Sequence, residues 1–234
     1  MSADGPADLD AVAAIGDRWR TVRARVDLAC GRAGRDPASV TLVAVSKLHP
    51  AAAVRAAVAA GAMDVGENYA QELAGKQGEC GELAVRWHYI GRLQRNKAKL
   101  VAGKVALVHA VDSAELAAEL GKRTATPPQR VLIAVNVAGE ASKGGVALVD
   151  APALARAIAA TAGVELAGLM TLPPPDVDPR PAFTALRALR AELEAALGQP
   201  LPVLSMGMSG DFEEAIALGA THVRIGTAIF GSRA

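Results

Sequence analysis

Short apolar runs alternate along the chain with longer stretches in which apolar residues recur at steps of three and four. The first run is Val40-Thr41-Leu42-Val43-Ala44-Val45-Ser46-Lys47, where five of the first six residues are apolar and three are Val. Such a run reads as a strand buried on both faces. Comparable runs cover 63–66, 85–90, 106–111, 130–137, 166–172, 203–208 and 222–229. Between them lie helical patterns. Leu9, Val12, Ile15, Trp19, Val22, Val26 and Ala29 mark one face of a helix over 8–33, closed by Gly31 and Gly34. Pro50 opens a helix that ends at Gly61, a short helix is predicted over 96–101, another spans 151–162, and Pro181 starts one running to Leu197. Asp112-Ser113-Ala114-Glu115 and Asp211-Phe212-Glu213-Glu214 have the spacing of capping boxes, each opening a helix.

Eight short strands separated by helical segments predict a single (β/α)8 TIM barrel. An open doubly wound sheet is the rival, but no Gly-rich fingerprint follows the first strand. Segment 1–39 is expected to be an extra N-terminal helical element and 40–231 the barrel. No long helical pattern follows strand eight, so the N-terminal helix is expected to cover that part of the barrel wall.

Composition narrows the class. The 234 residues are 51% hydrophobic and 21% charged, enough for a full α/β core, and the formal net charge of +1 points to neither nucleic acid nor an anionic membrane. Arg92, Arg95, Lys97, Lys99 and Lys104 form a local basic stretch without aromatic interleaving, read as a solvated face. No apolar run reaches membrane-spanning length, and no signal peptide is recognised at the N-terminus. The two cysteines, Cys30 and Cys80, lack metal-ligand spacing and suit free thiols in a reducing cytoplasm. With no interface segment left over, a monomer is expected.

In such barrels chemistry sits where strands end. Lys47 lies just past the first strand, stem in the core and amine at the rim, a placement suited to a Schiff-base amine or simply to a lysine that leaves the core where the strand ends. Asn68 follows strand two, where it could cap a helix, contact a ligand, or both. His88 on strand three alternates with Trp87 and Tyr89 and is expected to face the barrel mouth, a core histidine being the other option. Strand seven runs into Ser205-Met206-Gly207-Met208-Ser209-Gly210 before a helix, where backbone amides and a hydroxyl can hold an anion. Strand eight ends in Arg224-Ile225-Gly226-Thr227, with Gly226 admitting a ligand close to the backbone and Thr227 adding a hydroxyl. A lysine amine beside a phosphate cup points to pyridoxal phosphate. Arg224 beside a pyridine nitrogen would stay cationic and oppose ring protonation, weakening the ring as an electron sink, a structural ion pair being its other reading. Lys143, between small residues in the loop after strand five, resembles an anion site, although a solvated loop lysine is the plainer reading.

These residues also carry a resemblance. Val43-Ala44-Val45-Ser46-Lys47, Gly66-Glu67-Asn68-Tyr69 and Trp87-His88-Tyr89-Ile90-Gly91 resemble the pyridoxal-phosphate homeostasis proteins of the YggS/PROSC type, which share the barrel of alanine racemase. The likeness continues through 140–145, Gly168-Leu169-Met170, 204–209 and Arg224-Ile225-Gly226-Thr227-Ala228-Ile229-Phe230-Gly231. It implies pyridoxal 5′-phosphate linked to Lys47, phosphate contacts from Ser209, Gly226 and Thr227, and Arg224 near the ring nitrogen. It further implies a role in intracellular vitamin B6 homeostasis, with transient delivery to apo-enzymes. Racemases of this barrel type draw a second base from an additional C-terminal β domain, which is not recognised here, so a non-catalytic carrier is expected. A small racemase using Tyr69 or His88, and a lysine aldolase acting on a sugar phosphate, remain the alternatives.

Overall fold

The computed structural model describes residues 6–124, 126–139, 144–174 and 176–232. A long helix, α1 (Pro6–Arg32), precedes an alternating series. Its strands are β1 (Thr41–Val45), β2 (Asp64–Glu67), β3 (Arg86–Tyr89), β4 (Leu107–Val111), β5 (Gln129–Ala134), β6 (Val164–Met170), β7 (Val203–Ser205) and β8 (His222–Ile225). The helices between and after them are α2 (Ala51–Ala59), α3 (Ala70–Glu79), α4 (Ala114–Gly121), α5 (Ala151–Ala159), α6 (Arg180–Leu197), α7 (Phe212–Ala217) and α8 (Thr227–Phe230). A 3-10 turn, Arg95–Leu100, stands between β3 and β4 in place of an α-helix.

All neighbouring strands pair in parallel, and β8 pairs back onto β1 to close the barrel. Alternation along each strand separates two surfaces. Leu42, Ala44, Val65, Trp87, Val223 and Ile225 face outward into the core shared with the helices. Leu107, Leu132, Ala134, Ala167, Met170 and Val203 form a smaller apolar cluster that fills one side of the interior. The other side of the interior is polar, with Asp64, His88, His109, Ser205 and Arg224 all buried.

The N-terminal helix takes the place expected of it. It packs on α2, α7 and α8, burying Ile15, Trp19, Val22 and Val26. Arg18 Nε donates to the Ile229 carbonyl at 2.7 Å and Arg35 Nη1 to the Ile216 carbonyl at 2.7 Å, tying α1 and the turn that follows it to the last βα units. Among the described residues no helix is long and apolar enough to cross a membrane.

Three local expectations are corrected. Ser113 rather than Asp112 caps α4, its Oγ accepting from Leu116 N, because only Ser113 sits at the extended cap position. Asp211 precedes α7 but makes no cap bond there; its Oδ1 accepts from Met208 N at 2.6 Å and folds the preceding turn instead. Strand eight stops at Ile225, since Gly226 breaks the ladder and the chain coils into α8, whose Ile229 and Phe230 bury against α1.

Candidate functional site

The polar residues at the ends of β1, β2, β7 and β8 meet in one cavity of about 280 Å³. It is lined by Lys47, His49, Asn68, Ser209, Arg224, Gly226 and Thr227, with Val45, Ile90, Leu172 and Met208 among its apolar wall. That volume lies near the lower end of small-molecule pockets, roughly 300–1,000 Å³. A larger, more open groove of about 940 Å³ runs alongside, lined by Tyr69, Arg92, Arg95, Lys97 and Asp112 among others, and shares only Asn68 with the cavity.

Lys47 is partly buried in the turn that follows β1. The peptide on each side of it is held from below by a buried charge cluster. Ser46 Oγ donates to Glu67 Oε1 at 2.5 Å, and Lys76 Nζ donates to the Ser46 carbonyl at 2.7 Å. Lys76 also donates to Glu67 Oε1 at 2.6 Å and Glu72 Oε1 at 2.8 Å, while the Leu48 amide donates to Glu72 Oε1 at 2.6 Å. Leu48 is the one non-glycine described residue with positive φ, +64°. Such a conformation costs roughly 1–3 kcal/mol and persists where the surroundings over-determine it. Burial pushes the Glu67 carboxyl up, against the opposing hydrogen bonds from Lys76 and Ser46.

Asn68 is set by a close backbone crossing. A Cβ on Gly91 would lie 2.1 Å from the Asn68 carbonyl oxygen, so only glycine lets the two strand ends approach. Asn68 makes no cap bond to α3, whose cap is Tyr69, and its Oδ1 is buried without a hydrogen-bond partner. An orphaned acceptor or donor of this kind is costly unless a ligand completes it.

Arg224 is 4% exposed. Its Nη1 donates to Ser205 Oγ at 2.6 Å and its Nη2 to the Thr171 carbonyl at 3.0 Å. Burial lowers the guanidinium to about 10, with Asp211 opposing, so it remains cationic at neutral pH. At Gly226 a Cβ would approach the Val45 carbonyl to 3.3 Å, which keeps this wall close to the β1 backbone.

His88 is the exception. Ile90, on the same face of β3, lines the cavity, but His88 sits one pleat deeper, 3% exposed, between Asp64 and His109. The alternation of the strand was legible, whereas the depth of each residue depends on the barrel's stagger. His49 lines the cavity without having been singled out; its position two residues after Lys47 was the available signal. Its ring stacks on Phe230 at 5.3 Å. Lys143 lies outside the described residues. Among the described residues no group of three or more His, Cys, Asp or Glu is placed to hold a metal ion.

A lysine, a buried cation, an unpartnered amide and two hydroxyl-bearing strand ends in a cavity this small fit an anionic, aldehyde-bearing ring. Comparison with known proteins points the same way. Residues 15–234 match the family described as alanine racemase, N-terminal domain. The chain is 48% identical over 221 residues to the pyridoxal phosphate homeostasis protein of Pseudomonas aeruginosa, covering 94% of this chain and 96% of that one. It is 42% identical to the Escherichia coli K12 protein of the same name, covering 91% and 94%. PipY of Synechococcus elongatus, solved with PLP bound, superposes with a TM-score of 0.81 at 34% identity, covering 93% of this chain and all (100%) of that one. Alanine racemase of Corynebacterium glutamicum shares the fold, with a TM-score of 0.72 at 21% identity over 96% of this chain and 62% of the racemase.

Proposed function

The chain belongs to the pyridoxal phosphate homeostasis protein family, and on that premise we propose that it binds pyridoxal 5′-phosphate at Lys47 and acts as a carrier rather than an enzyme. The observation that carries the proposal is the convergence of Lys47, Asn68, Ser209, Arg224, Gly226 and Thr227 on one small cavity. When bound, the cofactor supplies an aldehyde that condenses with an amine and releases water, and a pyridine ring that can draw electron density from carbon.

Each residue has a part that its own chemistry suggests. Lys47 brings its amine to the rim on a turn held by the Lys76 cluster. Arg224 stands for the ring nitrogen: a fixed cation there keeps a proton off that atom and leaves the ring a weak electron sink. The orphaned Asn68 Oδ1 is available to a ring substituent. Ser209 and Thr227 offer hydroxyls to the phosphate, and Gly226 keeps the backbone close.

Against turnover stands the placement of the candidate bases. Tyr69 lines the open groove and His88 lies in the barrel core, so neither lines the cavity with Lys47. Besides Lys47 and Arg224, His49 is the titratable side chain in the described lining, and a racemase reading would assign the base to it. We take the protein as a cytosolic monomer that masks the reactive aldehyde and meets its apo-enzyme recipients transiently. The buried free thiols of Cys30 and Cys80 suit such a compartment.

Borohydride reduction of the purified protein with pyridoxal phosphate, followed by peptide mapping, tests the binding. A single adduct on Lys47 is expected; labelling elsewhere alone, or none above background, overturns the assignment. Racemisation of an amino acid at ordinary enzyme rates, about 1 s⁻¹ or faster, would instead establish the racemase reading.

A further inference from the structure

Below the cavity, the barrel interior holds an unbroken line of polar groups that the proposed function has not used. Arg86 donates to Asp64 through Nε at 2.8 Å and Nη2 at 2.5 Å. His88 Nε2 lies 2.9 Å from Asp64 Oδ1, and His88 Nδ1 lies 2.9 Å from His109 Nε2. His109 Nδ1 lies 2.8 Å from Ser205 Oγ, which accepts from Arg224 Nη1 at 2.6 Å. Asp64, His88, His109, Ser205 and Arg224 are each at most 6% exposed, so water does not substitute for these partners.

With both imidazoles neutral, the Asp64 end dictates the direction of every proton along the line. Burial alone would raise the Asp64 carboxyl, but the hydrogen bonds from His88 and Arg86, with the charge of Arg86, outweigh it and hold it below its ordinary range. Asp64 is therefore ionised and can only accept, so His88 carries its proton on Nε2. Neutral His88 then presents a lone pair at Nδ1, which takes the Nε2 proton of His109. Neutral His109 presents its own lone pair at Nδ1, which takes the Ser205 hydroxyl proton. Ser205 is left with lone pairs toward Arg224, which can only donate. The reverse order would need a doubly protonated His88 and would aim two donors at Ser205.

The surroundings favour the neutral order. Burial above all, with the Arg224 cation acting in the same sense, holds the His109 ring well below its usual range. His222 stands 5.9 Å from the His88 ring and 6.1 Å from His109, and burial holds it at about 3. Arg130 is a further charge near His222.

We infer that His88, His109 and Ser205 are positioning residues for the cofactor. The Asp64 carboxylate, at the far end of this line, sets both imidazole tautomers and through them the Ser205 lone pairs that anchor the Arg224 guanidinium. This rests on the assignment of Arg224 to the cofactor's ring nitrogen. No imidazole of the line touches the cofactor; each acts through the next group, and Thr171 supplies the second anchor.

Long-range ¹H–¹⁵N correlation spectra of the full, cofactor-free chain read the tautomers directly. Both His88 and His109 are expected neutral and protonated at Nε2; a cationic His88, or His109 protonated at Nδ1, overturns the inference. In the loaded protein, Ser205→Ala removes one oxygen and is expected to weaken pyridoxal phosphate binding roughly tenfold while shifting its absorption band and pH profile. His88→Leu should release the His109 tautomer and reproduce that shift, and His88→Asn, with an amide oxygen able to take the Nδ1 role, should restore both. Unchanged spectra in Ser205→Ala and His88→Leu overturn the inference. Failure of the wild type to trap the cofactor on Lys47 would sink the parent assignment alone, because the tautomer measurement needs no cofactor.

Discussion

The Lys76 ammonium holds the Ser46 carbonyl at 2.7 Å, one residue before Lys47, from a position 5% exposed at the side chain and between two carboxylates. A buried charge therefore shapes the turn that carries Lys47. Removing the cation leaves Glu67 and Glu72 facing each other and the Ser46 carbonyl unsatisfied. Lys76→Met is expected to cost about 3–5 kcal/mol in urea unfolding and to slow capture of pyridoxal phosphate at Lys47. The double variant Lys76→Met/Glu67→Gln should recover part of the stability and none of the capture rate. Wild-type capture in Lys76→Met would show that the turn holds itself.

Gly91 offers a test of the Asn68 placement. A methyl there would overlap the Asn68 carbonyl at 2.1 Å and its Cα at 2.8 Å, so the two strand ends must separate. Gly91→Ala should destabilise by about 1–3 kcal/mol and weaken cofactor binding in a fluorescence titration. Asn68→Ala should weaken binding with little loss of stability, since Asn68 Oδ1 has no partner inside the protein.

The buried imidazoles predict how stability depends on pH. His222 is held at about 3, against 6.5 ordinarily, by burial and then by His88. Below pH 6.5 the unfolded chain takes up a proton that the folded ring refuses until about 3. Stability therefore falls with decreasing pH through that window, by up to about 1.4 kcal/mol per unit for each such ring. His109 acts in the same sense. Asp64 works lower and with the usual carboxylate sign: its contribution is present above its ordinary 3.8 and lost as pH falls through about 2. Urea midpoints measured from pH 7.5 to 4.5 should decline, and His222→Asn should flatten the decline. A level profile in the wild type would contradict this.

The N-terminal helix is expected to be part of the fold's stability. Trp19 is 5% exposed, and α1 packs against α2, α7 and α8. Trp19→Ala should cost about 3–5 kcal/mol by chemical denaturation. A change below about 1 kcal/mol would mean the helix docks without contributing much.

Much of this protein is determined locally. A buried parallel strand needs an apolar run and a covering helix needs a repeat of three and four, so β1, α1 and the βα alternation could be read from residue order alone. The convergence of Lys47, Asn68, Ser209, Arg224, Gly226 and Thr227 on one cavity was legible for the same reason: in a barrel each strand end reaches the same face. Depth and partnership were not legible. His88 and Ile90 share a face of β3, but the stagger of the closed sheet sends one to Asp64 and His109 and the other to the cavity. Asp112 and Asp211 had the right spacing to cap, but Ser113 takes the cap of α4 and the Asp211 carboxylate accepts from Met208 N instead. The bond from Lys76 to the Ser46 carbonyl and the line from Asp64 to Arg224 join residues far apart in the chain, His109 and Ser205 by 96 positions. Hydrogen bonds of that reach are chosen by barrel closure, and nothing in residue order encodes them.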